Sequence, residues 1–318
     1  MRGESYLKNF GDDFISANFA AGANAPAGTL PYAAIIYTGP IADEWAVGMA
    51  GMGGGALSAF WTPNGGSFLL GLTHGSQNPH PDTWDELRSW PTQHLYGVTP
   101  EGGAFSTAMV QHPGRVVATT SESANIDISG SIGPEAWSLA DVLIQSPGYR
   151  RNIALDPAGV RVTTQLAAEG SVVCELVDVV PLYEKDGYQT DPLAAPITMF
   201  VTASGERVAA TSEWTNAVAV EVQRFAGRAL VTLDHERRVR MAPARWVNAY
   251  QSQAQANVLH IDALGGDASA KTAQRLPSEA SAKTAQRLPS EACVALPADV
   301  TIAWTIAPLA MGVPGPAP

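Results

Sequence analysis

Val160-Arg-Val-Thr-Thr-Gln-Leu166 and Val172-Val-Cys-Glu-Leu-Val-Asp-Val-Val180 are two strands of different kinds, and together they decide the fold. Successive side chains of a strand point to opposite faces. In the first stretch this puts apolar residues on one face and polar residues on the other, the pattern of an antiparallel sheet covered on one side only. The second is apolar almost without a break, as expected of a central strand between two layers.

Similar short runs, bounded by Gly, Pro, Asn and Asp, extend in both directions. Upstream they cover 33–38, 45–49, 56–61, 67–72, 104–110, 115–119 and 125–131. Downstream they cover 197–203, 217–225, 228–234, 237–241, 258–263 and 300–307. Helical patterns are confined to 134–144 and to one or two turns over 82–88. About fifteen strands with almost no helix predict an all-β chain: a large, multi-sheet antiparallel β-sandwich, supersandwich-like, with few short helices. The expected organisation is a first β-sandwich region over 1–185, with a Trp/His-rich loop over 74–97. A linker over 186–196, a second β-sheet region over 197–308 and a disordered tail over 309–318 follow.

Within the second region one twelve-residue block, Ser269-Ala-Lys-Thr-Ala-Gln-Arg-Leu-Pro-Ser-Glu-Ala280, is repeated without a mismatch as Ser281–Ala292. Two copies of a core element would face different neighbours and need different side chains. The block is also poor in large apolar residues and cannot bury much surface. It is expected to be an exposed loop, where added length costs little.

The 318 residues carry a net charge of −11, and Lys8, Lys185, Lys271 and Lys283 are the only lysines. Nucleic acid is therefore not an expected partner, because phosphate binding needs a basic stripe. No apolar run approaches the roughly 20 residues of a membrane helix. The N-terminus lacks the apolar core of a signal peptide; Met1 is read as an internal start in a longer reading frame. Cys174 reads as a buried strand residue, and spacing alone does not indicate a disulfide with Cys293.

Chemistry concentrates over 53–105. Three of the six histidines and four of the eight tryptophans lie between Trp45 and His94. Gly53-Gly54-Gly55 is followed by a strand and by no Gly-Lys-Ser/Thr, so it is a close-packed turn and neither a phosphate loop nor a dinucleotide fingerprint. His74, His80 and His94 lack zinc spacing, and neither metal nor cofactor is expected. No nucleophile elbow is present. Asp82, Asp85 and Glu86 are too clustered to argue opposed carboxylates. His94 and Tyr96, beside Arg88, could remove a proton while the guanidinium offsets a carboxylate; an ordinary buried histidine and tyrosine bonded to loop backbone is the favoured reading of the residues alone. Trp61, Trp84 and Trp90 either stack on sugar rings or fill the core. Alternation places Arg238 and Arg240 on one face, where they are either a solvated edge-strand device or an anion site.

Gly53-Gly54-Gly55 with Trp61, the loop Trp84…Trp90…His94, and Val173-Cys-Glu-Leu-Val-Asp-Val-Val-Pro181-Leu-Tyr183 resemble the C-terminal β-sandwich region of toroid-containing polysaccharide lyases, the heparinase II/III-like and hyaluronate-lyase-like group. The closing strand Thr301–Pro308 is similar in character, so the likeness spans roughly 20–308 as architecture. The resemblance implies β-elimination at a uronic acid in a polysaccharide or oligosaccharide. His94 would be the sandwich's catalytic contribution, with Tyr96 and Arg88 as further catalytic residues. Trp84, Trp90, His74 and Asn78 would bind substrate. The chain departs from the group in having no helical toroid, so a missing N-terminal helical domain is expected, and the fragment alone could be inactive. The alternative is a non-catalytic carbohydrate-binding or structural surface module. Export to the periplasm or beyond follows from the resemblance alone.

Overall fold

The structure is a computed structural model. It describes residues 6–9, 14–19, 30–37, 56–69, 93–98, 100, 104–107, 115–120, 123–131, 148–167, 172–185, 196–243, 255–264, 293–296 and 299–310. These form β1 (Tyr6–Asn9), β2 (Phe14–Phe19), β3 (Tyr32–Tyr37), β4 (Ala56–Thr62), β5 (Gly66–Ser67), β6 (His94–Val98), β7 (Ala104–Ser106), β8 (Arg115–Thr119), β9 (Ala124–Ser131) and β10 (Gly148–Asp156). The chain continues through β11 (Gly159–Ala167), β12 (Val172–Val173), β13 (Glu175–Lys185), β14 (Ile197–Val201), β15 (Arg207–Ala209), β16 (Thr215–Arg224), β17 (Gly227–Pro243), β18 (Gln255–Asp262), β19 (Val294–Ala295) and β20 (Asp299–Pro308). No α-helix occurs among the described residues. The helical patterns at 82–88 and 134–144, the strand pattern at 45–49, the triple glycine, the tandem block and the tail over 311–318 lie outside them.

Three antiparallel sheets result. One has five strands in the order β1-β2-β3-β4-β5. One has thirteen, running β7-β6-β13-β18-β17-β20-β11-β10-β9-β8, with β16, β14 and β15 attached beside β17. The third is the pair β12-β19. The chain is thus an all-β, multi-sheet antiparallel sandwich. Strands on both sides of 186–196 belong to the thirteen-stranded sheet.

The two deciding stretches behave as their patterns require. β11 lies between β20 and β10, with Val160, Val162 and Leu166 buried and Arg161 and Gln165 exposed. β13 lies between β6 and β18 and is buried on both faces from Glu175 to Leu182.

Three expectations need correction. The runs 228–234 and 237–241 are one strand, β17. One edge of it pairs with β16 over 227–232 and, past a register shift, over 237–239, while the other takes β20 over 229–233 and then β18 over 239–243. At this fork the neighbouring carbonyls lose ladder partners, and a buried carbonyl needs a donor. Arg237 supplies it, donating to Asp262 O at 3.1 Å and Thr301 O at 2.9 Å while gripping Asp234 at 2.6 and 2.7 Å. Secondly, β10 is a strand the sequence pattern hides. Its inward row is Tyr149, Arg151, Ile153 and Leu155, and Arg151, although 1 % exposed, breaks the apolar alternation. Thirdly, Cys174 is buried as expected but is disulfide-bonded to Cys293 across 119 residues.

One apolar cluster joins the sheets, with Tyr32, Ile36, Leu57, Phe60 and Phe68 on one side and Ile126, Ile153, Val162, Leu176, Val231 and Trp304 on the other. Polar contacts lock the same interface. The Tyr32 hydroxyl donates to Gly159 O at 2.9 Å and also to Asp156 O; Arg224 Nη1 donates to Ser67 O at 2.7 Å, and Ala226 N to Asn64 O at 3.1 Å.

Candidate functional site

Residues directly opposite in an antiparallel ladder carry their side chains on the same face. Register therefore shows which distant residues meet. Across β6, β13, β18 and β17 one row reads His94, Val179, His260, Arg240. The next reads Tyr96, Val177, Asp262, with Arg238 two positions along β17 from Arg240. Glu175 stands opposite Val98 on the same face. One face of four adjacent strands thus gathers two histidines, a tyrosine, two carboxyl groups and two arginines.

The groups are tied together. Arg240 Nε donates to His260 Nδ1 at 3.1 Å, and its Nη2 donates to Glu175 Oε1 at 3.2 Å. In this contact the imidazole Nδ1 is the acceptor, and the guanidinium is the donor. Arg240 and Arg238 both lie over the Trp214 ring, 4.5 and 5.0 Å from its centre, a cation–π arrangement that holds the guanidiniums in place. Asp262 Oδ1 accepts from Leu264 N at 2.9 Å, while Arg238 Nη1 lies 4.0 Å from Oδ2. Burial pushes Asp262 up to about 6, and the nearby Glu175 adds to the shift; the Leu264 N–H, Arg238 and Arg237 oppose it. Burial also lowers Arg238, against the pull of Asp262. His94 and His260 are fully buried, whereas the Arg238 and Arg240 side chains are 16 % and 24 % exposed. The face therefore runs from a dry end at β6 to a partly open end at β17.

The reverse face of the same strands holds β6 in place. Asp178, fully buried on β13, accepts from Gln93 Nε2 at 3.1 Å and from Trp304 Nε1 at 2.7 Å, with Arg151 Nη2 at 3.8 Å. Arg151 Nε donates to Thr164 Oγ1 at 3.0 Å. Leu95 N donates to Thr107 Oγ1 at 2.8 Å. Gln93 and Leu95 flank His94, so this network fixes the strand that presents it. Burial raises the Asp178 carboxyl, opposed by Arg151, Trp304, Gln93 and Arg237.

Of the residues singled out from sequence, His94 and Tyr96 come together on the site face. Arg88, Trp84, Trp90, His74 and Asn78 lie outside the described residues, as do His80, Asp82, Asp85 and Glu86. Trp61 is 42 % exposed on β4 of the five-stranded sheet, away from this face, and does not fill the core. Arg238 and Arg240 do share one face, but β17 is an interior strand, so the edge-strand reading is wrong. Glu175, His260, Asp262 and Trp214 were missed. For Glu175 a signal existed: a carboxylate within an otherwise apolar central strand must find a partner. Among the described residues no group of three or more His, Cys, Asp or Glu could hold a metal ion, and no helix is long and apolar enough to cross a membrane.

No family model matches the chain, and no curated protein matches it in sequence. Among solved structures it is similar to a galactose mutarotase-like protein from Clostridium acetobutylicum, at 9 % identity over 97 % of this chain and 99 % of that one, with a TM-score of 0.48. It is also similar to heparinase III, at 10 % identity and a TM-score of 0.47 over 95 % of this chain and 36 % of that one. A 4-alpha-glucanotransferase from Thermococcus litoralis gives 9 % identity over 97 % of this chain and 40 % of that one, at 0.46. Heparinase III stands beside mutarotase-like proteins at the same level, so the likeness to it is a weak one of architecture.

Proposed function

We propose that this chain handles carbohydrate on the face formed by β6, β13, β18 and β17, and that the reaction it is equipped for is β-elimination at a uronic acid. The observation that carries this reading is the gathering of His94 and Tyr96 with Arg238 and Arg240 on one face. A base must take the C5 proton, and His94 is the candidate. The electron pair forms the C4–C5 double bond, the C4–O bond breaks, and the leaving oxygen takes a proton from Tyr96. The two guanidiniums offset the negative charge that builds on the uronate carboxylate; Arg88, also expected in that part, lies outside the described residues. Glu175 and His260 orient Arg240. The Cys174–Cys293 disulfide supports an exported location, since such bonds persist in oxidising compartments.

The test is to incubate the chain with uronate-containing polysaccharides and follow the ultraviolet absorbance of unsaturated uronate ends. The expected result is turnover that His94→Ala reduces far more than it lowers the unfolding midpoint; an equal loss of both would overturn the catalytic role of this buried residue. The complete burial of His94 and His260 favours a second reading, in which the face binds sugar and no proton moves. Glycan binding with no unsaturated product, unaffected by His94→Ala, would establish that reading instead.

A further inference from the structure

Asp262 closes β18 with its side chain on the candidate face and is 3 % exposed. Its two oxygens are unequal. Oδ1 accepts from Leu264 N at 2.9 Å, whereas Oδ2 is buried with no hydrogen-bond partner among the described residues. A dry, unbonded carboxylate oxygen is costly, and native proteins keep few of them. Across from it Arg238 Nη1 stands 4.0 Å away, too far for a direct hydrogen bond, with its guanidinium over Trp214 at 5.0 Å. A hydroxyl is both donor and acceptor, so a single hydroxyl in that gap can donate to Oδ2 and accept from Nη1. The pair is balanced in charge, which suits a neutral hydroxyl better than an ion. Of the pair, Arg238 is the member that reaches solvent, its side chain 16 % exposed.

We propose that Asp262 and Arg238 form a hydroxyl-binding pair that seats a ring hydroxyl of the bound sugar, Asp262 Oδ2 accepting its proton and Arg238 donating to its oxygen. The inference rests on the carbohydrate reading above and assigns Asp262 to recognition of the ring, separately from the groups that would move protons.

The test uses the full chain. Binding is first screened against an array of neutral and uronate-containing oligosaccharides, and the tightest binder is then titrated against wild type, Asp262→Asn and Arg238→Gln. Asp262→Asn keeps an oxygen for Leu264 N but turns the Oδ2 position into a donor facing Arg238. Affinity is expected to fall about tenfold or more in each variant, with the unfolding midpoint of Asp262→Asn unchanged or higher. If Asp262→Asn fails to fold, Arg238→Gln reads the same contact from its other side. Binding by wild type with undiminished affinity in the variants overturns this pair and leaves the carbohydrate reading standing. Failure of wild type to bind any oligosaccharide on the array overturns both.

Discussion

The Trp304 indole donates to Asp178 Oδ2 at 2.7 Å, joining β20 to β13 across 126 residues of sequence. The bond lies on the core side of the fork at which β17 passes from β20 to β18. Its acceptor is the carboxylate that also receives Gln93 and faces Arg151. Removing one partner of a buried ion pair strands the other charge. Asp178→Ala is therefore expected to lower stability by about 3–5 kcal/mol, read as a fall in denaturant midpoint at constant slope. A change below about 1 kcal/mol would mean that the network contributes no more than a surface ion pair.

The disulfide should carry much of the stability of the 174–293 region. Closing so long a loop restricts the unfolded chain, and the expected loss on replacing both cysteines by alanine is roughly 2–5 kcal/mol. Deleting Ser281–Ala292 shortens the same closed loop by only one copy of the repeat, and loop entropy changes slowly with length. Thermal unfolding of the two variants separates the effects: a large fall for the cysteine variant, and a shift of about 1–2 °C at most for the deletion. A deletion that unfolds the chain would show that the block is packed.

Stability should fall as pH rises from about 4 to about 6. With a folded value of about 6 against its ordinary 3.8, Asp262 holds its proton more tightly in the native chain than in the unfolded one. The native state thus binds more protons within that window, and the loss, about 3 kcal/mol, is complete above it. Asp178, also raised by burial, acts in the same direction. Glu221 and Asp234 act oppositely. Burial pushes each up, but hydrogen bonds from Arg228 and Arg207, and from Arg237, hold them below their ordinary values. Their stabilisation is lost only in stronger acid. The unfolding midpoint should be higher at pH 5 than at pH 8, and Asp262→Asn should shrink the difference; an unchanged difference would remove Asp262 as its source.

Gly227→Ala should destabilise the sandwich although Gly227 starts an ordinary strand. A Cβ there would lie 2.4 Å from both Cα and N of Gly65, which is backbone and cannot swing aside. The two sheets would have to separate locally, at about 1–3 kcal/mol for overpacking. A midpoint equal to wild type would show that the 64–65 turn yields instead.

How much was legible in advance varied from residue to residue. β11 and β13 announced themselves, because alternation and continuous apolarity report directly on how many faces a strand buries. β10 did not, because Arg151 occupies an inward position that Asp178 on β13, Thr164 on β11 and Thr107 just past β7 make tolerable, and those residues lie elsewhere in the sequence. The division of β17 into two runs was a fair reading of Asp234-His235-Glu236, which are exposed; the strand stays continuous because different partners flank each half. Within the site, His94 and Tyr96 stood out by residue type and spacing, and Arg238 and Arg240 by alternation. Glu175, His260 and Asp262 carried no shared motif, since each comes to the face through strand register alone.

The sequence by itself therefore determined the class: an acidic, all-β sandwich in which local periodicity dictates which side chains face inward. Tertiary structure alone decided the pairing of Cys174 with Cys293, the interior position of β17, and the meeting of β6, β13, β18 and β17 residues on one face. The physical reason is that side-chain periodicity is a property of neighbouring residues, whereas strand order and register depend on long-range closure, which no local pattern encodes.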